Sequence, residues 1–348
     1  MATILVDICH PAHAHFFRFP IVRWAEQGHE VSVTSRNKDV AIDILDGLGI
    51  SHSSLGKAAT TPAGLAVELI RRNLLLARHI RRTGADIAVA LGGTFAAQSA
   101  CLCRIPSVVF YDTEIANMQN RITYPLATRL VVPNCYDGWT PRAKTTRYQG
   151  YHELSYLDPR RFSPDHGTAL RAGLDMDRPT YLIRIVSWTA NHDIGDRGLG
   201  HELLDIAIKR LSARGKVIIS SEASLPAHLQ AYLYHGSPLD IHHLMAFCAG
   251  YFGESATMAS ECAVLGVPAV YMARTHRGYT DEQESRYGLV RNIRSLNAES
   301  LDQGLDWLLG VDADSCRDAR RQMLQDSEDV AEFVARQVID TLEIHRSR

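Results

Sequence analysis

Gly253-Glu-Ser-Ala-Thr-Met-Ala-Ser-Glu261, running on through Cys-Ala-Val-Leu-Gly266 to Val267-Pro268, is the stretch that decides the fold. Before it, Gly250-Tyr-Phe-Gly253 reads as a short apolar strand ending on glycine. Ser255 is a good N-cap, because its hydroxyl accepts a first-turn N–H. Met258, Cys262 and Leu265 follow at i, i+4 and i+7, the spacing of one helical face. Gly266 closes the helix, and Pro268-Ala-Val-Tyr-Met272 reads as the next buried strand. A helix that starts just past a strand end offers N–H groups and a positive dipole end to a diphosphate. Gly253, Ser255, Ala256 and Thr257 are small enough to let a ligand approach the backbone. Glu261 follows Met258 by three residues, so it is not a capping-box acid. It lies roughly 100° from the middle of the apolar stripe, on its flank. There a carboxylate can accept two hydrogen bonds from neighbouring sugar hydroxyls. Together these residues describe a nucleoside diphosphate lying along the helix. A solvated glutamate on an ordinary helix is the alternative that the local pattern leaves open.

The chain has 348 residues, enough for two domains with proper cores. Net charge is -2, which gives no global case for nucleic-acid binding. No apolar run reaches membrane-spanning length, and Met1-Ala-Thr-Ile lacks the basic start of a signal peptide. Seven cysteines are odd in number, and Cys101-Leu-Cys103 has the wrong spacing for a zinc knuckle. Reduced thiols in the cytoplasm follow from this reading.

Outward from the opening stretch, the same alternation recurs. Thr3–Ile8 reads as a buried strand, a helix runs from about Ala14 to Gln27, and Val31–Thr34 is the second strand. This β-α-β opening implies a parallel sheet with a right-handed crossover. Helices over Val40–Leu48 and Ala63–Arg82, strand Ile87–Leu91, helix Ala96–Leu102, and strands Ser107–Tyr111 and Leu130–Val132 continue it. Ligands gather at the carboxyl ends of such strands. Three loops fall there. The first holds His10, His13 and His15, without the i, i+4 pair or nearby carboxylate that a metal site requires, so no metal is assigned. A helix-start histidine is a natural general base, and helix capping is the competing role. The second loop is Leu91-Gly-Gly-Thr94, where Thr94 can cap the next helix. The third, Tyr111-Asp-Thr-Glu114, places Glu114 where it has no evident local task. The helix 63–82 carries Arg71, Arg72, Arg78, His79, Arg81 and Arg82, and such a helix can lie on an anionic membrane as a peripheral contact or simply solvate one face.

Periodicity fades between Gln149 and Pro179, so the domains are read as 1–165, 166–326 and a closing helix, 327–348, that packs back toward the first. The second half opens with strand Tyr181–Val186 and a polar loop, 187–200. Arg184, His192, Asp193 and Arg197 there are candidates for phosphate or sugar contacts. Strand Val217–Ser220 and helix Ile241–Ala249 lead to the opening stretch. In the loop after Met272, Gln283 can bind sugar hydroxyls.

Two α/β halves with a diphosphate-and-ribose helix in the second resemble the GT-B architecture, in which two Rossmann-like doubly wound domains face a central cleft. Gly253–Pro268 is similar to the donor-binding region of the N-acetylglucosaminyltransferase that makes lipid II, and to that of non-hydrolysing UDP-N-acetylglucosamine 2-epimerases. Asp7-Ile-Cys-His-Pro-Ala-His13 with Gly28-His-Glu-Val31 resembles an uncharacterised GT-B-like family of bacteria and archaea. The resemblance implies that Glu261 holds the donor ribose and that Ser255, Ala256 and Thr257 form the phosphate turn. It matches His13 to the first-loop histidine, and Glu114 and His192 to epimerase residues. Gly92-Gly-Thr94 lacks the aspartate that epimerases carry there. The resemblance therefore implies a metal-independent glycosyltransferase without cofactor. Its donor is a nucleotide-diphosphate sugar and its acceptor a sugar or a lipid-linked sugar. A nucleotide-sugar 2-epimerase or hydrolase, and a non-catalytic nucleotide-sugar binder, are the alternatives.

Overall fold

The computed structural model describes residues 1–37, 40–57, 59, 61–186, 199–221 and 225–347. The chain divides into two compact units, Met1–Tyr156 with Ser327–Arg348, and Leu157–Asp326.

The first unit is built on β1 (Thr3–Ile8), α1 (Pro11–Glu26), β2 (Glu30–Asn37), α2 (Ala41–Gly47), β3 (His52–Lys57), α3 (Pro62–Thr83), β4 (Ile87–Leu91), α4 (Thr94–Cys103), β5 (Ser107–Phe110), α5 (Asn117–Thr123), β6 (Arg129–Pro133) and β7 (Thr145–Tyr148). Its seven strands stand in the order β3-β2-β1-β4-β5-β6-β7, and every pair is parallel. Order reverses between β1 and β4, so the loops after these two strands flank the switch point where α/β sheets take ligands. Central strands are mostly apolar, with Asp7 of β1 and Thr34 and Ser35 of β2 buried among them.

Short helices α6 (Leu154–Leu157) and α7 (His166–Arg171) precede the second sheet. This sheet is formed by β8 (Thr180–Ile185), β9 (Lys216–Ser221), β10 (Gly250–Gly253), β11 (Ala269–Met272) and β12 (Val290–Ile293). The helices here are α8 (His201–Ser212), α9 (Ile241–Met245), α10 (Ala256–Leu265), α11 (Gly278–Ser285), α12 (Ala298–Gly310) and α13 (Ala313–Gln325). The order β12-β11-β10-β8-β9 is again all parallel, with its reversal between β8 and β10. The final helix, α14 (Val330–Arg346), belongs to the first unit. There the fully buried Trp24 of α1 donates Nε1–H to the Ala335 carbonyl at 3.0 Å, and Arg346 pairs with Asp86 at 2.8 Å.

Several local expectations are corrected. Helix α1 starts at Pro11, not near Ala14, because proline suits the first helical position and His10 supplies the cap. Strands β3, β7 and β12 escape the hydrophobic pattern. β3, His-Ser-Ser-Leu-Gly-Lys, is a polar edge strand. In α3, Arg72 and His79 are buried rather than solvated, while Val67, Ile70 and Leu74 are exposed. Helix α10 is enclosed on nearly all sides instead of along one stripe, and Thr257 and Met258 are its half-exposed members. Arg320 of α13 reaches over to donate to the Val264 carbonyl at 2.9 Å.

Candidate functional site

In the second unit, β10 delivers the chain to α10 beside the switch point. Gly253 pairs with Arg184 of β8, and a Cβ there would collide with the Arg184 carbonyl oxygen and lie 2.8 Å from its nitrogen. Glycine is therefore required by the approach of the two strands. Ser255 caps α10, its Oγ accepting the Met258 N–H at 3.3 Å. The N–H groups of Ala256 and Thr257 then have no partner within the helix, which is the arrangement that receives an anion. Gly266 ends the helix at φ 83°.

Glu261 lies a turn and a half along α10 and is buried. His242 of α9, buried as well, directs Nε2 at its Oε1 across 2.9 Å. The solvated reading of Glu261 does not describe this residue. Gln283 of α11 is fully enclosed and donates to Ser260 Oγ at 2.8 Å, so it ties α11 to α10. Arg184 donates to Ser220 Oγ on β9 at 2.8 Å. His192, with Asp193 and Arg197, lies outside the described residues.

Glu254, which the sequence did not single out, accepts the Val186 N–H at 3.2 Å and the Leu199 N–H at 2.6 Å. Its carboxylate thus fixes both flanks of the polar loop after β8. The position before a helix cap is a common place for an acid, so nothing local revealed this task.

In the first unit, the three histidines separate. His10 Nδ1 accepts the Ala12 N–H at 3.3 Å as the cap of α1. His13 Nδ1 accepts the Cys9 N–H at 3.3 Å. That bond selects the neutral tautomer with the proton on Nε2, so acting as a base requires the other tautomer and loss of the bond to Cys9. His15 is buried and stacks on Tyr156, ring centroids 5.4 Å apart. Asp7, the last but one residue of β1, forms a buried ion pair with Arg72 at 2.6 Å and accepts from Thr34 Oγ1 at 2.8 Å. Desolvation and the adjacent Asp7 carboxylate push the Cys9 thiol far above its ordinary value. Cys9 therefore stays protonated and is no nucleophile at neutral pH. All seven cysteines are free thiols.

After β4, Gly93 takes the N-cap position at φ 25°, and a Cβ on it would lie 2.5 Å from Val109. Thr94 is not the cap, because its hydroxyl bonds that of Thr123 at 2.9 Å. After β5, Asp112 pairs with the buried His152 at 2.9 Å, a partner the sequence reading missed. Glu114 is buried in the wall of a cavity of about 550 Å³ together with Asn120, Arg121, Tyr124 and Trp139. Among the described residues, no three His, Cys, Asp or Glu side chains are grouped to hold a metal ion.

Two all-parallel α/β units with these strand orders define the GT-B fold. The chain belongs to the family described as "Protein of unknown function (DUF354)", whose family model matches residues 2–342. It is similar to a UDP-N-acetylglucosamine–N-acetylmuramyl-(pentapeptide) pyrophosphoryl-undecaprenol N-acetylglucosamine transferase of Clavibacter michiganensis, 25% identical over 240 residues, 67% of this chain and 63% of that protein. In structure it is similar to the UDP-GlcNAc 2-epimerase of Neisseria meningitidis bound to UDP-GlcNAc, with TM-score 0.67, 12% identity, and 98% and 99% of the two chains covered. A spinosyn rhamnosyltransferase complexed with spinosyn aglycone also matches, with TM-score 0.61, 11% identity, and coverage of 97% and 100%. The fold's neighbours thus include both transferases and epimerases, and some of them were solved with a UDP-sugar or an aglycone bound.

Proposed function

We propose that the protein is a metal-independent glycosyltransferase that uses a nucleotide-diphosphate sugar. The observation that carries this reading is the start of α10 at the β8/β10 switch point, followed by Glu261 held by His242. The Ala256 and Thr257 N–H groups and the helix dipole would stabilise the leaving diphosphate, a fixed-charge effect that takes the place of a metal. Glu261 would accept the ribose hydroxyls, with Arg184 contributing positive charge nearby. From the first unit, His13 would take the acceptor proton after exchanging tautomers, with His10 fixing the start of α1.

Contact with an anionic membrane is part of the proposal. Val67, Ile70 and Leu74 are exposed on α3, as are Arg71, Arg78, Arg81 and Arg82. Apolar insertion and charge attraction combine on such a face. Among the described residues no helix is long and apolar enough to cross a membrane.

Epimerase chemistry is the second reading, favoured by one observation: Glu114 is a buried acid facing a cavity large enough for a sugar. One experiment separates the two. The protein is incubated with candidate nucleotide sugars in deuterated water, with and without an acceptor lipid extract. Nucleotide release that depends on the acceptor, without deuterium in the recovered sugar, supports the transferase. Deuterium at C2 without any acceptor refutes it. Under the transferase reading, His13→Ala should lower turnover by about a hundredfold, the scale of general-base loss, and leave nucleotide affinity unchanged.

A further inference from the structure

Trp139 is a large aromatic residue that the first unit leaves 76% exposed. A tryptophan in the open forgoes much of the stabilisation that burial of its rings would contribute. Its orientation is nonetheless defined. Its ring lies 6.2 Å from that of Tyr124, tilted by 32°. The preceding Gly138 folds over Tyr136 so closely that a Cβ would come 2.6 Å from the Tyr136 hydroxyl. The backbone is thus shaped to hold the indole outward.

Trp139 lines two cavities. One, of about 550 Å³, contains Glu114, Asn120 and Arg121. The other, of about 380 Å³, contains Thr140, Arg142 and Arg147. Lys144 and Arg147 are occupied by backbone carbonyls: Lys144 by those of Pro125 and Ala127, and Arg147 by those of Pro133, Asn134 and Tyr136. Arg121 and Arg142 are exposed and make no ion pair among the described residues. Asn120 is more than nine-tenths buried, and its Oδ1 has no hydrogen-bond partner among the described residues. A buried acceptor without a donor is destabilising, so this wall is suited to a donor that is supplied from outside.

We propose that this Trp139 pocket binds a glycosyl phosphate. The apolar C–H face of a pyranose would pack on the indole, a sugar hydroxyl would donate to Asn120 Oδ1, and Arg121 of the same cavity would take the phosphate, with Arg142 adding positive charge from the second cavity, which shares Gly138 and Trp139 with the first. The proposal rests on the transferase reading for its meaning, since it identifies the acceptor's chemical class. A free sugar phosphate and one carried on a lipid share this chemistry. Met118, Ile122 and Leu126, exposed beside Arg121 in sequence, would meet the lipid of the second.

The test uses the full chain and N-acetylglucosamine 1-phosphate, followed by calorimetry and ligand-observed NMR. N-acetylglucosamine and inorganic phosphate serve as controls. Binding should be saturable and tighter for the sugar phosphate than for either control. Trp139→Ala and the double variant Arg121→Ala/Arg142→Ala should each weaken it about tenfold or more, the scale of a lost charge-assisted contact. Trp139→Phe should recover part of the loss. A prenyl-linked form in detergent micelles separates the sources, since tighter binding of that form assigns the lipid-carried one. UDP affinity is measured in the same variants and should not change. If UDP fails to bind while the sugar phosphate binds through Trp139, the donor reading falls and the pocket stands. If the sugar phosphate binds no better than phosphate, or is indifferent to Trp139→Ala and to the arginine pair, the pocket assignment is wrong.

Discussion

The Glu261–His242 pair allows a test in which stability and ligand affinity answer separate questions. Glu261 is 5% and His242 3% exposed, and the two atoms are 2.9 Å apart. Water therefore cannot replace either partner. If the pair is ionised, removing one member strands a buried charge and costs about 3–5 kcal/mol. If the ring is neutral, the loss is that of an unsatisfied buried group, about 1–3 kcal/mol. Two variants distinguish these cases. His242→Ala removes the ring, whereas Glu261→Gln removes the charge and keeps an acceptor oxygen. Comparable large losses in both mean an ionised pair, and a small loss in Glu261→Gln alone means a neutral ring. Because the chain has two units, global unfolding need not be two-state. Hydrogen exchange of the α9 and α10 amides reads the local free energy directly. Nucleotide affinity is the second axis. Glu261→Gln should weaken UDP by about 1–3 kcal/mol, because a neutral amide replaces a charged acceptor. His242→Ala should weaken it as well, because the carboxylate loses the group that aims it. Stability changes under about 0.5 kcal/mol in both variants would refute the closed pair. Unchanged UDP affinity in Glu261→Gln would refute the ribose role, whatever stability does.

Gly253→Ala should destabilise the second unit by about 1–3 kcal/mol, since the added carbon meets strand backbone that has no room to give. Thermal unfolding checks this, and a neutral effect would mean that β8 and β10 are not so close. His79 is buried against Ser32 Oγ at 2.8 Å, and burial, then Arg82, holds its pKa below the ordinary imidazole value. The unfolded chain then binds a proton more readily, so stability is complete above about pH 6.5 and falls as pH drops through that value. His79→Gln should flatten that acid-side loss in urea midpoints measured between about pH 5 and 8, and an unaltered slope would assign it to other groups.

The second-unit core of this reading was legible because its signals are local. Ser255 as cap, Gly266 as stop and the short strands on either side all lie within a dozen or so neighbours, and each appears where the pattern put it. What escaped depends on partners distant in sequence. Nothing near Glu261 announces His242, and nothing near Asp7 announces Arg72. An arginine on a helix with other arginines reads as solvated, yet Arg72 is the member that turns inward. Strand β3 was missed because an edge strand need not be apolar, and its polar residues carry no period of two. Trp139 lies on an irregular segment between β6 and β7, where periodicity has nothing to report.

The small residues at both switch points serve the sheets before any ligand. Gly93 leaves room for Val109, and Gly253 leaves room for the backbone of Arg184. Their presence permits a phosphate to approach but does not call for one. Selectivity must therefore come from the charged groups, and these are costly where they stand. Asp7 with Arg72 lies at the carboxyl edge of the first sheet, and Glu254 beyond the edge of the second, holding Val186 and Leu199. Apolar residues of similar volume would fold the region of the Asp7–Arg72 pair at least as well. A buried ion pair near the end of β1 and a carboxylate holding the Val186 and Leu199 N–H groups make sense as positioning devices. They fix the backbone at the two edges where α/β sheets do their chemistry. On this argument, changes at Asp7 or Glu254 should disturb turnover more than their distance from any reacting atom suggests, because they set where the neighbouring groups point.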